Sequence, residues 1–302
     1  MENKSSIINS NKSKSAVEKT MNSIFLICGF TAVVCVICIT IYMIVSGFPA
    51  IQKIGVFKFI FGKVWNPENL EFGIAPMVLA SIIATFSAIS VALPIGILVA
   101  VFLAKLAPKK VANTLRMLID LLAGIPSVVY GLLGALLIVP LVFNLQTAAG
   151  LPTGGSLLAA IVILIIMILP TIISVSETAI RAVPKQYEDA SLALGSTKLQ
   201  SIFKVTVPAA KSGIVAGMVL GVGRAIGEAM AVMMVAGNAA IMPEILRPVR
   251  MLTTSIPIEW AYSSGLHREA LYGIGLVLFI FIMIINIVLN KVLKKGGTAD
   301  GR

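Results

Sequence analysis

The sequence predicts an all-α integral membrane protein with six transmembrane helices. Of its 302 residues, 58% are hydrophobic and only 12% are charged, whereas soluble domains carry about 25% charged residues. Long uncharged runs recur along the chain, and a helix needs about 20 apolar residues to cross a bilayer. This composition excludes an ordinary soluble domain.

The six predicted spans are the longest apolar stretches of the chain. They lie at about residues 24–45, 76–103, 118–143, 157–178, 214–236 and 270–290. The third and fourth spans share one uncharged run, which the Gly- and Pro-containing residues 147–156 divide because such residues favour turns. The predicted organisation has four parts: a tail (1–22), a first helix with its external loop (23–73), a transmembrane core (74–292) and a second tail (293–302).

The distribution of basic residues predicts the orientation. With six spans, 17 of the 24 Lys and Arg residues lie on the side of the two termini, six lie on the other side and one lies within the fifth span. Basic residues collect on cytoplasmic loops, so both termini are predicted to be cytoplasmic. This distribution accounts for the net charge of +11 without a nucleic-acid partner.

Two ionisable residues stand within the apolar fifth span. Arg224 and Glu228 are one helical turn apart, and each costs about 2.5–3.5 kcal/mol at membrane depth, so such residues usually face a pathway or a partner. An arginine stays charged and offers oxyanions a planar fork of donors. We therefore predict that Arg224 contacts an anion in the path and that Glu228 pairs with it and weakens that contact. The alternative is a structural ion pair that joins helices without touching a substrate.

Small residues and further charged pairs predict contacts within the bundle. Gly223 and Gly227 are expected to pack against a neighbouring helix, with room for an anion as the alternative. The pairs Arg116–Asp120 and Glu177–Arg181 have the i,i+4 spacing of ion pairs on one helix face. Both pairs are expected to anchor spans at the cytoplasmic edge.

The predicted cytoplasmic loop at residues 182–212 is not simply polar. Pro184 can open a helix whose first turns carry acidic residues, and Gly195 can end it. Apolar residues at helical spacing then predict a second short helix. Two short helices around a glycine make a compact knob that could enter a groove on a soluble partner. The alternative is an ordinary surface hairpin.

This loop resembles the coupling loop of ABC-importer permeases, whose pattern is E-A-A, three residues, G, nine residues and I-x-L-P. The chain keeps every spacing, with D-A-S at E-A-A and V-T-V-P at I-x-L-P. The resemblance implies that the loop docks on an ATP-hydrolysing subunit. The implied docking residues are Asp189, Ala190, Ser191, Gly195 and Pro208.

Two further stretches narrow the resemblance, which covers residues 74–292. Residues 124–131, G-I-P-S-V-V-Y-G, look like the G-I-P-S-x-x-x-G signature of phosphate-importer permeases. Residues 223–232, G-R-A-I-G-E-A-M-A-V, are similar to their G-R-A-x-G-E-x-M-A-V and favour the PstC type over the PstA type. The first stretch would break the third span and present the Ser127 hydroxyl and freed amides to an anion. The alternative is a kink satisfied by neighbouring helices.

The resemblance implies a type I ABC-importer permease core in the last five spans, in the plasma membrane of a prokaryote. The implied substrate is inorganic phosphate, and the implied partners are a PstA-type permease, two ATP-binding subunits, an external phosphate-binding protein and membrane lipid. No G-x-x-x-x-G-K-[ST] loop occurs, so neither enzymatic activity nor a cofactor is expected in this chain, and ATP would be used by a partner.

Three other functions compete with this interpretation. A molybdate or sulfate permease would share R-x-x-G-E but not the G-I-P-S stretch. A secondary transporter driven by an ion gradient would show inverted repeats, and none is evident. A membrane-embedded enzyme would need a nucleophile–base pair or a metal set, and the single histidine, His267, excludes a multi-histidine site.

Overall fold

The computed structural model describes residues 2–297, including the side chains of residues 18–288 and 291. Within this part the chain forms fourteen α-helices and one short antiparallel hairpin. The helices of the first half are α1 (Glu2–Ile54), α2 (Val56–Phe61), α3 (Ala75–Val101), α4 (Lys109–Gly124), α5 (Ser127–Leu133), α6 (Val139–Ala148) and α7 (Leu157–Ala182). Those of the second half are α8 (Lys185–Ala193), α9 (Lys198–Ser201), α10 (Val207–Ala209), α11 (Lys211–Gly227), α12 (Met230–Val235), α13 (Leu252–Glu259) and α14 (Gly265–Gly297). The hairpin strands are β1 (Trp65–Asn66) and β2 (Glu71–Phe72).

Irregular helical turns continue several of the α-helices without a break. Three π-helical turns follow α3, α5 and α9, at Phe102–Leu106, Gly134–Ile138 and Ile202–Thr206, and a short 3₁₀ turn follows α13 at Trp260–Tyr262. Through the first of these turns, α3 becomes one apolar rod of 32 residues, Ala75–Leu106.

Five of the described helical segments are long and apolar enough to cross a membrane, and a bent pair supplies a sixth. The five are Glu18–Ile54, Ala75–Leu106, Ser127–Ala148, Leu157–Ala182 and Gly265–Val288. The bent pair is Lys198–Ala209 with Lys211–Gly227, at an angle of 67°. The predicted all-α membrane fold is confirmed, but the third and fifth spans differ from their predicted limits.

The third span begins at Ser127 and not near residue 118. Helix α4 ends at Gly124, and Ile125 is extended at φ −68° and ψ 129°. Pro126 causes this break, because it has no N–H to donate and disfavours a helical conformation in the residue before it. Residues 109–124 therefore form a separate amphipathic helix that packs on α7 around Ile173.

Helix α7 is the centre of the bundle and packs against α3, α4, α11 and α12. Its apolar side chains point in most directions, as expected of a helix surrounded by others. Ile172 lies between two glycines: an added Cβ on Gly96 of α3 would lie 2.7 Å from its Cγ2, and one on Gly221 of α11 would lie 3.0 Å from its Cγ1. Small residues thus let α3 and α11 approach the central helix from two sides.

Helix α1 lies at the periphery and packs mainly on α14. The two helices cross closely, because a Cβ on Gly47 would lie 2.8 Å from backbone atoms of Tyr272 and Gly273. The hydroxyls of Tyr42 and Tyr272 are 2.7 Å apart near this crossing. Most of the apolar side chains between residues 21 and 48 are exposed in the isolated chain.

A second apolar core lies at the predicted external end of the bundle. It joins α2, the hairpin, α13 and the first turns of α14, and its buried members include Phe59, Trp65, Phe72, Leu252 and Leu271. Trp65 is only 9% exposed, so it packs inside this core and does not anchor at the membrane interface as an exposed aromatic would.

Candidate functional site

The fifth predicted span breaks at Glu228. Helix α11 ends at Gly227, Glu228 is extended at φ −74° and ψ 124°, and α12 begins at Met230. The prediction of one continuous helix over residues 214–236 is therefore wrong. Arg224 and Glu228 consequently do not share a helix face, because the i,i+4 relation holds only while the helix continues.

Glu228 serves the backbone on both sides of this break. Its Oε1 accepts a hydrogen bond from the amide of Ala231 at 2.8 Å, in the first turn of α12. Its carbonyl oxygen accepts a hydrogen bond from the Thr253 hydroxyl of α13, also at 2.8 Å. A carboxylate at the start of a helix satisfies a free amide and favours the helix dipole. Glu228 is buried and stabilises the start of α12.

Arg224 lies in the last turn of α11 and is partly exposed. One guanidinium nitrogen donates to the Thr171 hydroxyl of α7 at 3.2 Å. Among the side chains that the structure describes, no carboxylate lies within ion-pair distance of Arg224, so the predicted pair with Glu228 is wrong. A neutral hydroxyl does not balance a positive charge, so most of the donors of this guanidinium remain available.

The two stretches that resemble phosphate-importer permeases meet in space. Gly131 of α5 faces α12: an added Cβ would lie 2.9 Å from the Cα of Ala231 and 2.8 Å from the Sδ of Met234. Tyr130 donates its hydroxyl to the carbonyl of Leu122 at 2.7 Å, across the break in the third span. The stretch that begins with G-I-P-S therefore packs against α12, which follows Arg224 and Glu228 in the chain.

Ser127 is the first residue of α5 and is partly exposed. Pro126 precedes it and provides no side-chain hydrogen bond to the start of the helix. The break that the sequence predicts at this position is present. A contact between the Ser127 hydroxyl and an anion stays a prediction.

The glycines next to Arg224 face open space. Apart from the adjacent residues and the backbone of the same helix, no atom of the described chain lies within 4 Å of a Cβ added to Gly223 or Gly227. The close packing predicted for this pair is therefore wrong within this chain. Gly217 and Gly221 make that contact instead, against residues of α7. Arg224 thus borders a surface that nothing in the described part of the chain covers.

The predicted two-helix knob is formed by α8 and α9. Gly195 separates the helices at φ +86°, a left-handed conformation that glycine adopts without steric cost. Thr197 and Gln200 form a capping box at the start of α9, with bonds of 3.3 and 2.9 Å. The prediction of two short helices around a glycine is confirmed.

The knob presents both polar and apolar groups to a partner. Four predicted docking residues, Asp189, Ala190, Gly195 and Pro208, are exposed. The fifth, Ser191, is half-buried, and its hydroxyl lies 2.7 Å from that of Ser196, so it holds the turn together. Large apolar side chains are exposed alongside: Tyr187, Leu192, Leu194, Leu199 and Phe203. Exposed apolar patches of this kind mark interaction surfaces, and docking on an ATPase subunit stays a prediction.

The charged pairs at the predicted cytoplasmic edge form one bridge between helices. Glu177 of α7 is buried and accepts from Arg181 at 2.7 Å and from Arg116 of α4 at 2.8 Å. The expected Arg116–Asp120 pair is absent among the described side chains, because Arg116 reaches the neighbouring helix instead. The Glu177–Arg181 pair is present as predicted.

A polar cluster in the predicted external loops has no counterpart in the sequence predictions. Glu259 accepts hydrogen bonds from Trp65 Nε1 at 2.9 Å, from His267 Nε2 at 2.8 Å and from Arg250. Burial alone would raise the pKa of Glu259, but the bonds from His267 and Trp65, with the charge and bond of Arg250, hold that pKa below its ordinary value. This carboxylate is therefore fully engaged within the chain.

Comparison with known proteins supports a transport role. Residues 92–294 match the family of inner membrane components of binding-protein-dependent transport systems. The chain is 35% identical over 296 residues to the probable ABC transporter permease protein YqgH of Bacillus subtilis, covering 94% of this chain and 95% of that relative. It is 34% identical over 263 residues to the phosphate transport system permease protein PstC of Pasteurella multocida, covering 80% and 82% of the two chains.

Solved structures agree on the fold. An inward-facing MetNI methionine ABC transporter matches with a TM-score of 0.58 at 21% identity, covering 77% of this chain and 99% of that one. A bacterial ABC transporter that imports alginate matches with a TM-score of 0.56 at 14% identity, covering 81% and 89%. At these identities the likeness shows the fold alone. Taken with the family match and the sequence relatives, it leads to one conclusion: this chain belongs to the inner membrane permeases of binding-protein-dependent ABC importers, among the relatives of the PstC-type phosphate permeases.

Proposed function

We propose that this chain is one of two permease subunits of an ATP-driven phosphate importer and that it lines half of the translocation path. The observation that carries the proposal is Arg224, a cation in a membrane span with no carboxylate partner within the described chain. Phosphate as the substrate is supported by relatives that are themselves phosphate transport permeases.

The chemistry at Arg224 fits a transported oxyanion. A bare anion would lose many kcal/mol of hydration in a low-dielectric passage, so a cation must offset this loss. Arginine donates two parallel hydrogen bonds to phosphate oxygens. The Glu228 carboxylate accepts from the amide of Ala231 and lies outside ion-pair distance of Arg224, so it does not pair with the arginine. A single cation holds an anion weakly enough for release, as a conduit requires.

The remaining parts of the importer are supplied by other chains. Permeases of this family work with a second permease, an ATPase and a binding protein. We assign these roles to a PstA-type permease, two ATP-binding subunits, one of which docks on the knob of this chain, and an external phosphate-binding protein on the opposite face. Both termini then lie in the cytoplasm. This chain carries no ATP-binding loop, so ATP is hydrolysed in a separate subunit.

The transport cycle follows from this arrangement. Phosphate is delivered to the external loops, and closure of the ATP-bound subunits pushes on the knob. The bundle opens outward, the ion passes Arg224, and hydrolysis restores the inward-facing state. Mobile helices around a fixed site are the general solution for alternating access.

Reconstitution with candidate partners tests this function. The complete complex in proteoliposomes should take up labelled phosphate only when ATP, the ATPase subunit and the binding protein are present. Excess sulfate or molybdate should leave the uptake unchanged. Uptake driven by an ion gradient without ATP would overturn the proposal, and strong competition by molybdate or sulfate would assign the chain to that anion instead.

A further inference from the structure

A partly buried ion pair fastens the knob to the inner end of α3. Lys105 lies in the π-helical turn that continues α3, and its Nζ is 2.7 Å from Oε2 of Glu188 in α8. The two side chains are only 13% and 16% exposed. The Ser201 hydroxyl of α9 also donates to the carbonyl of Glu188, at 3.3 Å. The neighbouring Asp189 is exposed, so the two adjacent acids face in different directions.

Apolar packing and a second hydrogen bond surround this attachment. Val101 of α3 is buried in one cluster with Ile180 of α7 and Ile202, which follows α9. Arg181 donates to the carbonyl of Leu103 at 3.0 Å. The inner end of α3 is therefore held to the knob and to α7 by both polar and apolar contacts.

The other end of α3 is hydrogen-bonded to α13, and α13 is also hydrogen-bonded to Glu228, where the fifth span breaks. The Ser81 hydroxyl accepts a buried hydrogen bond from the amide of Leu252, the first residue of α13, at 3.0 Å. The next residue, Thr253, donates to the carbonyl of Glu228 at 2.8 Å. Helix α13 thus contacts α3 through one residue and the break beside Arg224 through the next.

A continuous helix joins these two attachments. The rod of 32 residues is about 48 Å long at 1.5 Å per residue, and it packs along the central helix α7. Pro94 lies inside this rod and removes one backbone hydrogen bond. The helix continues through Pro94, and α7 supports it by packing, so displacement of one end is passed to the other.

We propose that α3 transmits movement of the knob to the helix break beside Arg224 and that Lys105 and Glu188 are the positioning residues that couple the knob to it. This inference rests on the proposed transport function. Removing one member of a buried ion pair leaves an uncompensated charge, so the attachment depends on both residues. Neither residue touches the substrate, and their effect is on coupling and not on binding.

Charge reversal and exchange at the pair provide the first test. In the assembled complex, Lys105→Glu and Glu188→Lys should each keep ATP hydrolysis while phosphate uptake per ATP hydrolysed falls roughly tenfold, within the usual range of coupling energies. The exchanged double variant should recover at least half of the loss. Lys53→Glu is the matched control, because Lys53 forms an exposed ion pair with Glu269, and it should change neither quantity.

The opposite end of α3 provides a second test that does not disturb a buried charge. Ser81→Ala removes the acceptor of the Leu252 amide and should also lower uptake per ATP. Ser90→Ala is the matched control on the same helix, because its exposed hydroxyl bonds only to the Phe86 carbonyl of its own turn. If Ser81→Ala and the two single charge reversals all couple as their controls do, or if the exchange fails to recover coupling, the proposal is overturned.

A reporter of movement separates this inference from the choice of substrate. In a background without the native cysteines, Gly223→Cys beside Arg224 should react with a membrane-impermeant maleimide from outside only after ATP is added. Reversal at Lys105 should abolish this dependence, and the exchange should restore it. If labelling of Gly223→Cys depends on ATP and reversal at Lys105 abolishes that dependence, but phosphate is not transported, the proposed substrate fails and the inference stands. If labelling responds to ATP equally in the reversed variants, the inference fails and the proposed function stands.

Discussion

Two charged residues of this chain, Glu259 and Arg224, differ in how far the rest of the chain compensates their charge. Glu259 accepts hydrogen bonds from three side chains, one of which, Trp65, comes from a distant part of the sequence. Arg224 donates one hydrogen bond to the neutral hydroxyl of Thr171. The carboxylate is compensated within the chain, and the guanidinium is not.

This difference separates a charge that stabilises the fold from one that we propose contacts the transported ion. A partly buried charge is stabilising only when its hydrogen bonds are satisfied. The donors around Glu259 therefore stabilise the arrangement of the external loops. Arg224 has no carboxylate partner among the described side chains and borders an exposed surface. An ion or a second subunit can therefore supply the missing negative charge.

The largest expected effect is on transport at Arg224. Arg224→Gln should lower phosphate uptake by about 100-fold, because a charge-assisted bidentate contact is lost, while thermal stability of the complex stays close to wild type. Uptake by reconstituted proteoliposomes and thermal unfolding in detergent measure the two quantities. Arg247→Gln is the control, because Arg247 is exposed and pairs with Glu244 three residues away. Normal uptake by an assembled Arg224→Gln complex would remove Arg224 from the path.

The next effect should appear in stability at Glu259. Glu259→Gln keeps the size of the side chain but weakens its bonds to Arg250 and His267, and we expect a loss of about 2 kcal/mol. The permease subunit in detergent should unfold at a lower temperature, whereas Glu244→Gln at an exposed acid should unfold as wild type does. Stability unchanged by Glu259→Gln would mean that the cluster contributes nothing to the fold, and the contrast with Arg224 would disappear.

Glycine substitutions test whether the surface beside Arg224 is open. Gly131→Ala should destabilise the chain by about 1–2 kcal/mol, because its Cβ would overlap with Ala231 and Met234. Gly223→Ala should leave the isolated subunit unaffected, since the position is open and helical, and alanine favours helices. Thermal unfolding of the isolated subunit compares the two. Equal destabilisation would contradict an open face on α11.

The parts of the structure that follow local rules could be predicted from the sequence. Apolar runs predicted the spans, Pro126 predicted the break near residue 125, and Gly195 predicted the turn of the knob. In each case the cause lies in one short stretch of sequence. It is hydropathy for the spans, the missing amide donor of Pro126 for the break and the left-handed conformation of Gly195 for the turn.

The parts that depend on distant residues could not be predicted. The end of α11 at Gly227 involves a hydrogen bond from Thr253 on another helix, and no proline marks it in the sequence. Arg116 was expected to pair with Asp120, but it bonds to Glu177, 61 positions away. Spacing rules consider one helix at a time, so they miss every partner that the tertiary fold supplies.

The smallest effect concerns acidity outside the membrane. The pKa of Glu259 is lower in the folded chain than its ordinary value of 4.5, so its stabilising contribution is complete above that ordinary value and is lost as pH falls through the lowered folded-state pKa. Between pH 7 and 5, ionisation of Glu259 should therefore leave the stability of the subunit unchanged, and its contribution should decline only at more acidic pH. Unfolding temperatures of wild type and Glu259→Gln should differ at neutral pH and converge in acid, because protonation of the wild-type carboxyl removes the same charge. A difference that persists at pH values well below the folded-state pKa would show that the substitution acts through packing, and the compensated charge at Glu259 would then not be what distinguishes it from Arg224.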